Sequence, residues 1–473
     1  MPRAVVVAAV LLALAGRGAL LARRPLWSDE LFTIWVARMA PAPIVSALRS
    51  DSGPPGFYAI AKPFVAAGEI AGDDRAVRVL SFLAALALLL AARGLAAPRS
   101  RRAALVLFGT SALLGLYAAE GRAYALLALL IFLLYRETLE IPESPRQLAA
   151  AAALGAIALY THYLALPAVG VLLALAASRG RMRTAAALAG AGLLFAPWIP
   201  ILAAQPPAAV AWMREPAVSS AIAFLSALGG AGRVPAPFGL PPPEAVFLLG
   251  IAVALLLGIA VARAASGDPA VRDAAIFVAA VLGLSLFVSI VVPFAFAGRT
   301  EMAVLPVWLW AVARASAASR LARAGVAASA ALGILTLGAA AAGPHPPSAA
   351  GRAAPVIDRL ARPADTLFAG PGLYLPFRIA ADRGRLAPRL VPYPAAVASH
   401  PGWWTPEAPS ESDAAGVAKA AAGPGAVWML VPPGFVTPEI RAALGEGGRV
   451  RELSLRPEAV LLHRTASREA ARP

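Results

Sequence analysis

The chain has 473 residues, 59% of them hydrophobic and only 14% charged, with a mean hydropathy of +0.71. Its apolar residues fall in runs of about twenty, which excludes a soluble domain and makes it a polytopic membrane protein. The net charge of +16 is carried almost wholly by Arg. Over the first three-quarters the arginines sit in short loops between apolar runs, so they mark a cytoplasmic side and not a nucleic-acid partner. The absence of cysteine excludes disulfides and thiolate metal sites. The Ala, Arg, Gly and Pro excess looks like GC-rich coding and points to a bacterial plasma membrane.

In chain order, residues 4–22 form the first run. It is long for a signal-peptide core, and Arg23-Arg24-Pro25 is no small-residue cleavage site. It reads as an uncleaved span with its N-terminus in the cytoplasm, and Arg17 near its outer end snorkels. Residues 23–75 then make a large first external loop. Within it Leu31, Phe32, Trp35, Val36 and Met39 share one face at helical spacing, too short to span, which describes a helix lying in the interface. Residues 54–72 give a second apolar stretch, expected to be broken at Lys62-Pro63 into a re-entrant or interfacial helix.

After this, apolar runs alternate with arginine loops: 76–95 inward, 103–119 outward, 125–135 inward, 148–160 outward, 164–177 inward and 185–202 outward. A Pro- and Gly-rich external loop, 203–243, follows. Then 245–262 runs inward, 274–296 outward, 302–318 inward and 326–342 outward, for a total of about eleven spans. From residue 343 the composition becomes mixed. Short buried strands are expected at 366–369, 427–431 and 460–463, with a helix at 411–422. The expected organisation is an all-α membrane domain, 1–343, followed by a small extracytoplasmic α/β domain, 344–473.

On this topology Asp29, Glu30, Asp51, Glu120, Arg122, Tyr124, His162, Tyr163, Arg299 and Glu301 all lie at external ends of spans. Carboxylates, arginines and tyrosines gathered at one face suit chemistry on a polar, anionic substrate at a membrane surface. Asp29 and Glu30 allow two readings. With Ser28 as N-cap they stabilise the first turn of the interfacial helix, a placement worth about 0.3–1 kcal/mol each. Alternatively one is a general base held against a hydroxyl.

Arg122 and Arg299 are candidates for stabilising a phosphate leaving group through bidentate forks. The plainer alternatives are an ion pair with Glu120 for Arg122 and interfacial snorkelling for Arg299. His162, the one histidine of the membrane body, is either a satisfied interface residue or, with Asp29 and Glu30, part of a divalent-metal site. Tyr58, Tyr124 and Tyr163 read as interface-belt residues or substrate contacts. Trp403-Trp404 suits either sugar stacking or headgroup anchoring.

The order of motifs resembles a known family. Trp27-x-Asp29-Glu30 and then Pro54-Pro55-x-x-Tyr58 look like the start of the protein O-mannosyltransferase-like enzymes. These belong to the GT-C superfamily of membrane glycosyltransferases, which includes the bacterial aminoarabinose transferases. The resemblance continues at Glu120-x-Arg122-x-Tyr124, His162-Tyr163, Pro197-Trp198, and Arg299 with Leu305-Pro306. It implies a polyprenyl-phosphate-linked sugar donor, a catalytic acid on the first external loop, and transfer on the external face to a cell-envelope glycan, lipid or protein. Asp29 would deprotonate the acceptor hydroxyl as it attacks the anomeric carbon with inversion, and Glu30 would orient the acceptor or hold a neighbouring arginine. The chain departs from the family after the late arginine: members often have Tyr there, whereas this chain has Thr300-Glu301. A transporter or lipid flippase, the rival class, predicts ionisable residues along mid-membrane paths and an inverted repeat. Neither is evident in these Ala- and Leu-rich runs.

Overall fold

All eleven apolar runs fold as helices in the computed structural model of the chain, which describes residues 2–211, 213–215, 217–231, 244–400, 402, 408–445, 449–455 and 459–465. Six of these helices are long and apolar enough to cross a bilayer: Arg3–Arg23, Asp74–Gly94, Met182–Ala204, Glu244–Ala265, Pro269–Val288 and Arg320–Ala342. The other five runs make shorter helices. One is split into Arg101–Thr110 and Ala112–Ala118 where Ser111 leaves helical geometry (ψ 123°). The rest are Tyr124–Leu139, Pro145–Thr161, Ala165–Ser178 and Leu305–Ala315. Two of them, Tyr124–Leu139 and Leu305–Ala315, are almost wholly buried. Other helices solvate them instead of lipid, so hydrocarbon thickness does not dictate their length.

Helices begin where the sequence supplies caps. The hydroxyl of Ser144 accepts the Gln147 N–H, Asp268 accepts that of Ala270, and Ser319 accepts that of Ala322. Pro145 and Pro269 each occupy the first turn, where no N–H is needed.

Two expectations are corrected. Residues 54–72 form one helix, Gly56–Ala71, that runs through Pro63 without breaking. Pro63 comes two turns into the helix, so it removes one backbone donor while the flanking turns keep theirs. The 203–243 loop contains helices at Ala208–Ala211 and Ala217–Leu228; its residues 232–243 lie outside the described residues, as do Trp403 and Trp404.

The chain divides into two compact units. One comprises Met1–Arg24 and Ile44–His345, and the other Pro25–Pro43 and Pro346–Pro473. Part of the first loop thus belongs with the C-terminal domain. The second unit is built on a five-stranded sheet: β1 (Thr366–Ala369), β2 (Arg389–Pro392), β3 (Val427–Val431), β4 (Val450–Leu455) and β5 (Ala459–Arg464). The strand order is β2-β1-β3-β5-β4, with β1 parallel to β2 and β3, and β5 antiparallel to β3 and β4.

Alternate residues of the strands feed two cores. Leu367, Trp428, Leu430 and Leu461 pack with Ile357 and Phe377 on one face. Phe368, Met429, Val431 and Leu462 pack with Val417 and Ile440 on the other. The sheet is covered on both faces, which explains why β1 and β3 are continuous apolar runs. Asp365, just before β1, accepts the N–H groups of Arg362 (3.0 Å) and Ala426 (2.8 Å) and the Trp428 indole (3.1 Å), so its buried carboxylate is satisfied.

Candidate functional site

In the second unit, Asp29 and Glu30 open the Ser28–Arg38 helix, which packs on the Tyr374–Asp382 helix. Trp27, not Ser28, occupies the cap position. Glu30 is completely buried, and one of its carboxylate oxygens accepts the Trp27 N–H at 3.4 Å. Asp29 is half-buried, and its carbonyl accepts the Thr33 hydroxyl (3.0 Å). The buried face carries Phe32, Thr33, Ile34, Val36 and Ala37, while Leu31, Trp35 and Met39 are partly exposed. Phe32 lies 5.6 Å from Trp35 and 5.2 Å from His400, centre to centre, and Arg38 is 3.9 Å from Asp382. Of the apolar stripe read from the sequence, only Phe32 and Val36 are fully buried, and the buried face is turned toward Thr33, Ile34 and Ala37.

In the first unit, the short turn 120–123 is set against the Val77–Leu95 helix. Gly121 is required there, because a Cβ would lie 2.7 Å from Val77. Arg122 is pinned through its backbone: its N–H donates to the Glu120 carbonyl (2.8 Å) and its carbonyl accepts the Ser81 hydroxyl (3.1 Å). Glu120 itself is buried. Tyr124, at the start of the next helix, lies tilted against Tyr117 (4.5 Å between ring centres) and His162 (5.0 Å), and the Arg299 guanidinium lies 5.6 Å from its ring centre and 5.4 Å from that of Phe296. A cation near two aromatic faces is held there electrostatically. His162 Nδ1 accepts the Leu164 N–H (3.1 Å), which places the ring proton on Nε2. Burial, reinforced by Arg122 and Arg299, depresses its pKa to about 3, so the imidazole is neutral.

Arg299 is positioned by its neighbours. The Gly298 N–H donates to both oxygens of Glu301 (3.0 and 2.9 Å), and its carbonyl accepts the Tyr117 hydroxyl (2.6 Å). Gly298 adopts φ +87°, a conformation that requires glycine. Burial raises the Glu301 carboxyl to about 7, against the lowering effect of the Gly298 hydrogen bond.

A second group joins this one through Tyr163. The Tyr163 hydroxyl accepts the Trp198 indole N–H (2.9 Å) and donates to Gln205 (2.9 Å), whose amide reaches the carbonyls of Leu48 (2.8 Å) and Gly53 (3.2 Å). Asp51 and Tyr58 are both buried on the same segment, with the Tyr58 hydroxyl 3.5 Å from the Asp51 carboxylate. Burial pushes Tyr163 up to about 12.

Of the residues singled out from sequence, Glu120, Arg122, Tyr124, His162 and Arg299 therefore form one cluster, and Tyr58 and Tyr163 form the adjoining one. Asp29 and Glu30 belong to the other unit. Tyr117 and Gln205 were not singled out. Tyr117 is hidden inside an apolar run, and Gln205 stands at the start of a Pro-rich loop. Among the described residues no three His, Asp or Glu side chains are grouped so as to hold a metal ion.

No protein-family model matches the sequence, and no curated protein matches it. Among solved structures the chain is similar to ArnT from Cupriavidus metallidurans, in the apo state (TM-score 0.59) and bound to undecaprenyl phosphate (TM-score 0.60), at 15% identity in both. The likeness covers 99% of each chain in the first case and 98% in the second. The two proteins share a fold along their whole length, the GT-C type fold that the order of motifs implied.

Proposed function

We propose that this chain is a glycosyltransferase that moves a sugar from a polyprenyl-phosphate carrier to an acceptor hydroxyl outside the cytoplasm, in a bacterial plasma membrane. The observation that carries this reading is the Arg122–Tyr124–His162–Arg299 cluster. It gathers two guanidiniums and a neutral imidazole beside aromatic faces, in a fold shared with ArnT from Cupriavidus metallidurans, which was solved both in the apo state and bound to undecaprenyl phosphate. Two guanidiniums beside a neutral imidazole that offers its Nε2–H suit a phosphate.

In the proposed reaction a carboxylate oxygen of Asp29 takes the proton of the acceptor hydroxyl. The hydroxyl oxygen forms its bond to the anomeric carbon from the face opposite the phosphate, and the bond from that carbon to the phosphate oxygen breaks with inversion. The released electron pair stays on the polyprenyl phosphate, whose growing negative charge Arg122 and Arg299 stabilise. Tyr124 and His162 orient the donor through ring faces and the Nε2–H. Glu30 fixes the start of the helix that carries Asp29. Tyr58 and Tyr163 line the approach of the acceptor.

Mass spectrometry of lipid retained by the purified full-length Asp29→Asn protein tests the class. A glycosylated polyprenyl phosphate at near-stoichiometric amount is expected. Ordinary phospholipid alone on that variant, together with failure of the unaltered protein to transfer sugar from an added polyprenyl-phosphate-linked donor, overturns the reading.

A further inference from the structure

Arg17 belongs to the first membrane-spanning helix, Arg3–Arg23, and it does not snorkel as the sequence suggested. It is buried against protein, and its guanidinium donates to the Phe108 carbonyl at 3.1 Å. That carbonyl lies in the helix that breaks at Ser111. In a continuous helix it would take the Ala112 N–H; at the break it takes Arg17. Residues 101–118 contain no proline, and an inserted side chain is one of the causes that break a helix. The adjacent Thr110 carbonyl faces Gly333, where no Cβ would fit. A cation within the membrane is costly unless it has partners. A helix C-terminus supplies them, through unpaired carbonyls and the negative end of its dipole.

The same device recurs at the far end of the broken helix. Arg24, seven residues on from Arg17, is also buried and donates to the carbonyl of Ala119, the residue that ends Ala112–Ala118, at 2.9 Å. Arg24 is placed in turn by Arg78, which donates to the carbonyls of Arg24 (2.9 Å) and Leu21 (3.2 Å), while Arg75 reaches that of Ala22 (2.8 Å). These arginines therefore serve helix C-termini, which accounts for basic residues on the side where the positive-inside rule expects few.

A helix as short as Ala112–Ala118 is not stable by itself, so its direction is set by what holds its ends. It carries Tyr117, whose hydroxyl donates to the Gly298 carbonyl just before Arg299 (2.6 Å), and it leads directly into Glu120 and Arg122. Gly115 keeps the approach close, because a Cβ there would lie 3.1 Å from Arg17 Nε and 2.6 Å from Leu337. Resting on the phosphate reading of the Arg122–Tyr124–His162–Arg299 cluster, we propose that Arg17 and Arg24 are its positioning residues. They fasten the broken helix at both ends so that Tyr117 meets Gly298 and Arg122 enters the cluster.

Thiol labelling in the otherwise cysteine-free chain tests the fastening without any activity. A single cysteine replaces Ala123, buried in the turn, or Ala315, buried at the end of Leu305–Ala315, and is labelled in detergent. Arg17→Met or Arg24→Met should raise the labelling rate of Ala123→Cys at least tenfold and leave that of Ala315→Cys within threefold. Arg17→Lys, which keeps a charged donor, should stay within threefold of the parent at both. Gly115→Ala crowds Arg17 while leaving both arginines in place, so it should give the same selective rise, and it stands in where a methionine variant does not fold. Rates unchanged at Ala123→Cys, or raised equally at the two positions, overturn the proposal. Undecaprenyl phosphate, added to proteins without introduced cysteines and followed by native mass spectrometry, supplies the second readout. Retention at least tenfold weaker in Arg17→Met than in the unaltered protein, and largely restored in Arg17→Lys, is expected. Equal retention by Arg17→Met and the unaltered protein overturns the positioning role. An unaltered protein that retains none overturns the phosphate reading itself, a failure that the labelling of Ala123→Cys does not share.

Discussion

Gly298 is held by its own N–H and its own carbonyl, by Glu301 on one side and Tyr117 on the other, and the next residue is Arg299. The family resemblance places a tyrosine directly after the late arginine. This chain has Thr300-Glu301 there, and the phenol that meets the Gly298 carbonyl is that of Tyr117, far away in sequence. That contact was not legible, because a tyrosine inside an apolar run gives no signal of the backbone it will meet, whereas Arg122, Tyr124 and His162 announced themselves by lying at span ends. The raised Glu301 carboxyl makes a testable statement about stability. Its pKa is about 7 when folded against 4.5 for a solvated glutamate, so between these values the folded state binds more protons than the unfolded one, and stability falls as pH rises through that window. The full effect is about 3 kcal/mol. Glu301→Gln keeps an acceptor for Gly298 and removes the titration, so its melting temperature relative to the parent should increase from pH 4.5 to pH 7.5. A constant difference across that range would contradict the buried, protonatable carboxyl. For Asp29 the readout is catalytic. Asp29→Asn should insert normally and lose ~10²-fold or more in turnover, roughly 2.7 kcal/mol of barrier. A loss of only about 1 kcal/mol in stability with turnover near the parent rate would show a helix-terminus charge and nothing more.

Among the elements, legibility followed period and burial. The expected strands at 366–369, 427–431 and 460–463 match β1, β3 and β5, all apolar because the sheet is covered on both faces. The two edge strands were missed. β4 reads Val-Arg-Glu-Leu-Ser-Leu and is mostly exposed, and β2 is four residues ending in proline, so neither carries an apolar run. The Ala217–Leu228 helix was missed because the Pro- and Gly-rich flanks of its segment outweighed twelve helix-forming residues. Helix contacts, in contrast, depend on single small residues that only the fold explains. Gly56 sits where a Cβ would be 2.5 Å from the carbonyl oxygen of Tyr160, two residues before His162. Gly56→Ala should force the Gly56–Ala71 helix off its neighbour and cost about 1–3 kcal/mol by overpacking. Gly190→Ala, in a helix with no heavy atom within 4 Å of the added carbon, should instead be neutral or stabilising by about 0.5–1 kcal/mol. Thermal unfolding of the two variants in detergent checks the pair, and equal shifts would mean that the close approach at Gly56 is absent.

For the whole molecule the open quantity is sidedness. The eleven runs, the helices they form and the shared fold fix how the chain is folded, but they leave its direction through the bilayer to charge. Arg99, Arg101 and Arg102, Arg136 and Arg146, Arg179, Arg181 and Arg183, Arg263 and Arg272, and Arg320 and Arg323 fall at one set of helix ends. Arg122 and Arg299 fall at the opposite set, within the aromatic cluster. The positive-inside rule counts basic residues in short loops close to span ends, and every one of these loops is short. The arginine-rich ends should therefore face the cytoplasm, with the cluster and the C-terminal domain outside. A reporter active only outside the cytoplasm, fused after Gly343, should be active, and the same reporter fused after Arg183 should be silent. The opposite pattern would put the cluster on the cytoplasmic face, and activity at both positions would mean that the run count between residues 183 and 343 is wrong by an odd number. Either result removes extracytoplasmic sugar transfer as the function. The expected pattern leaves the acceptor hydroxyl, the Asp29 carboxylate and the released polyprenyl phosphate on the same side of the membrane, as the reaction requires.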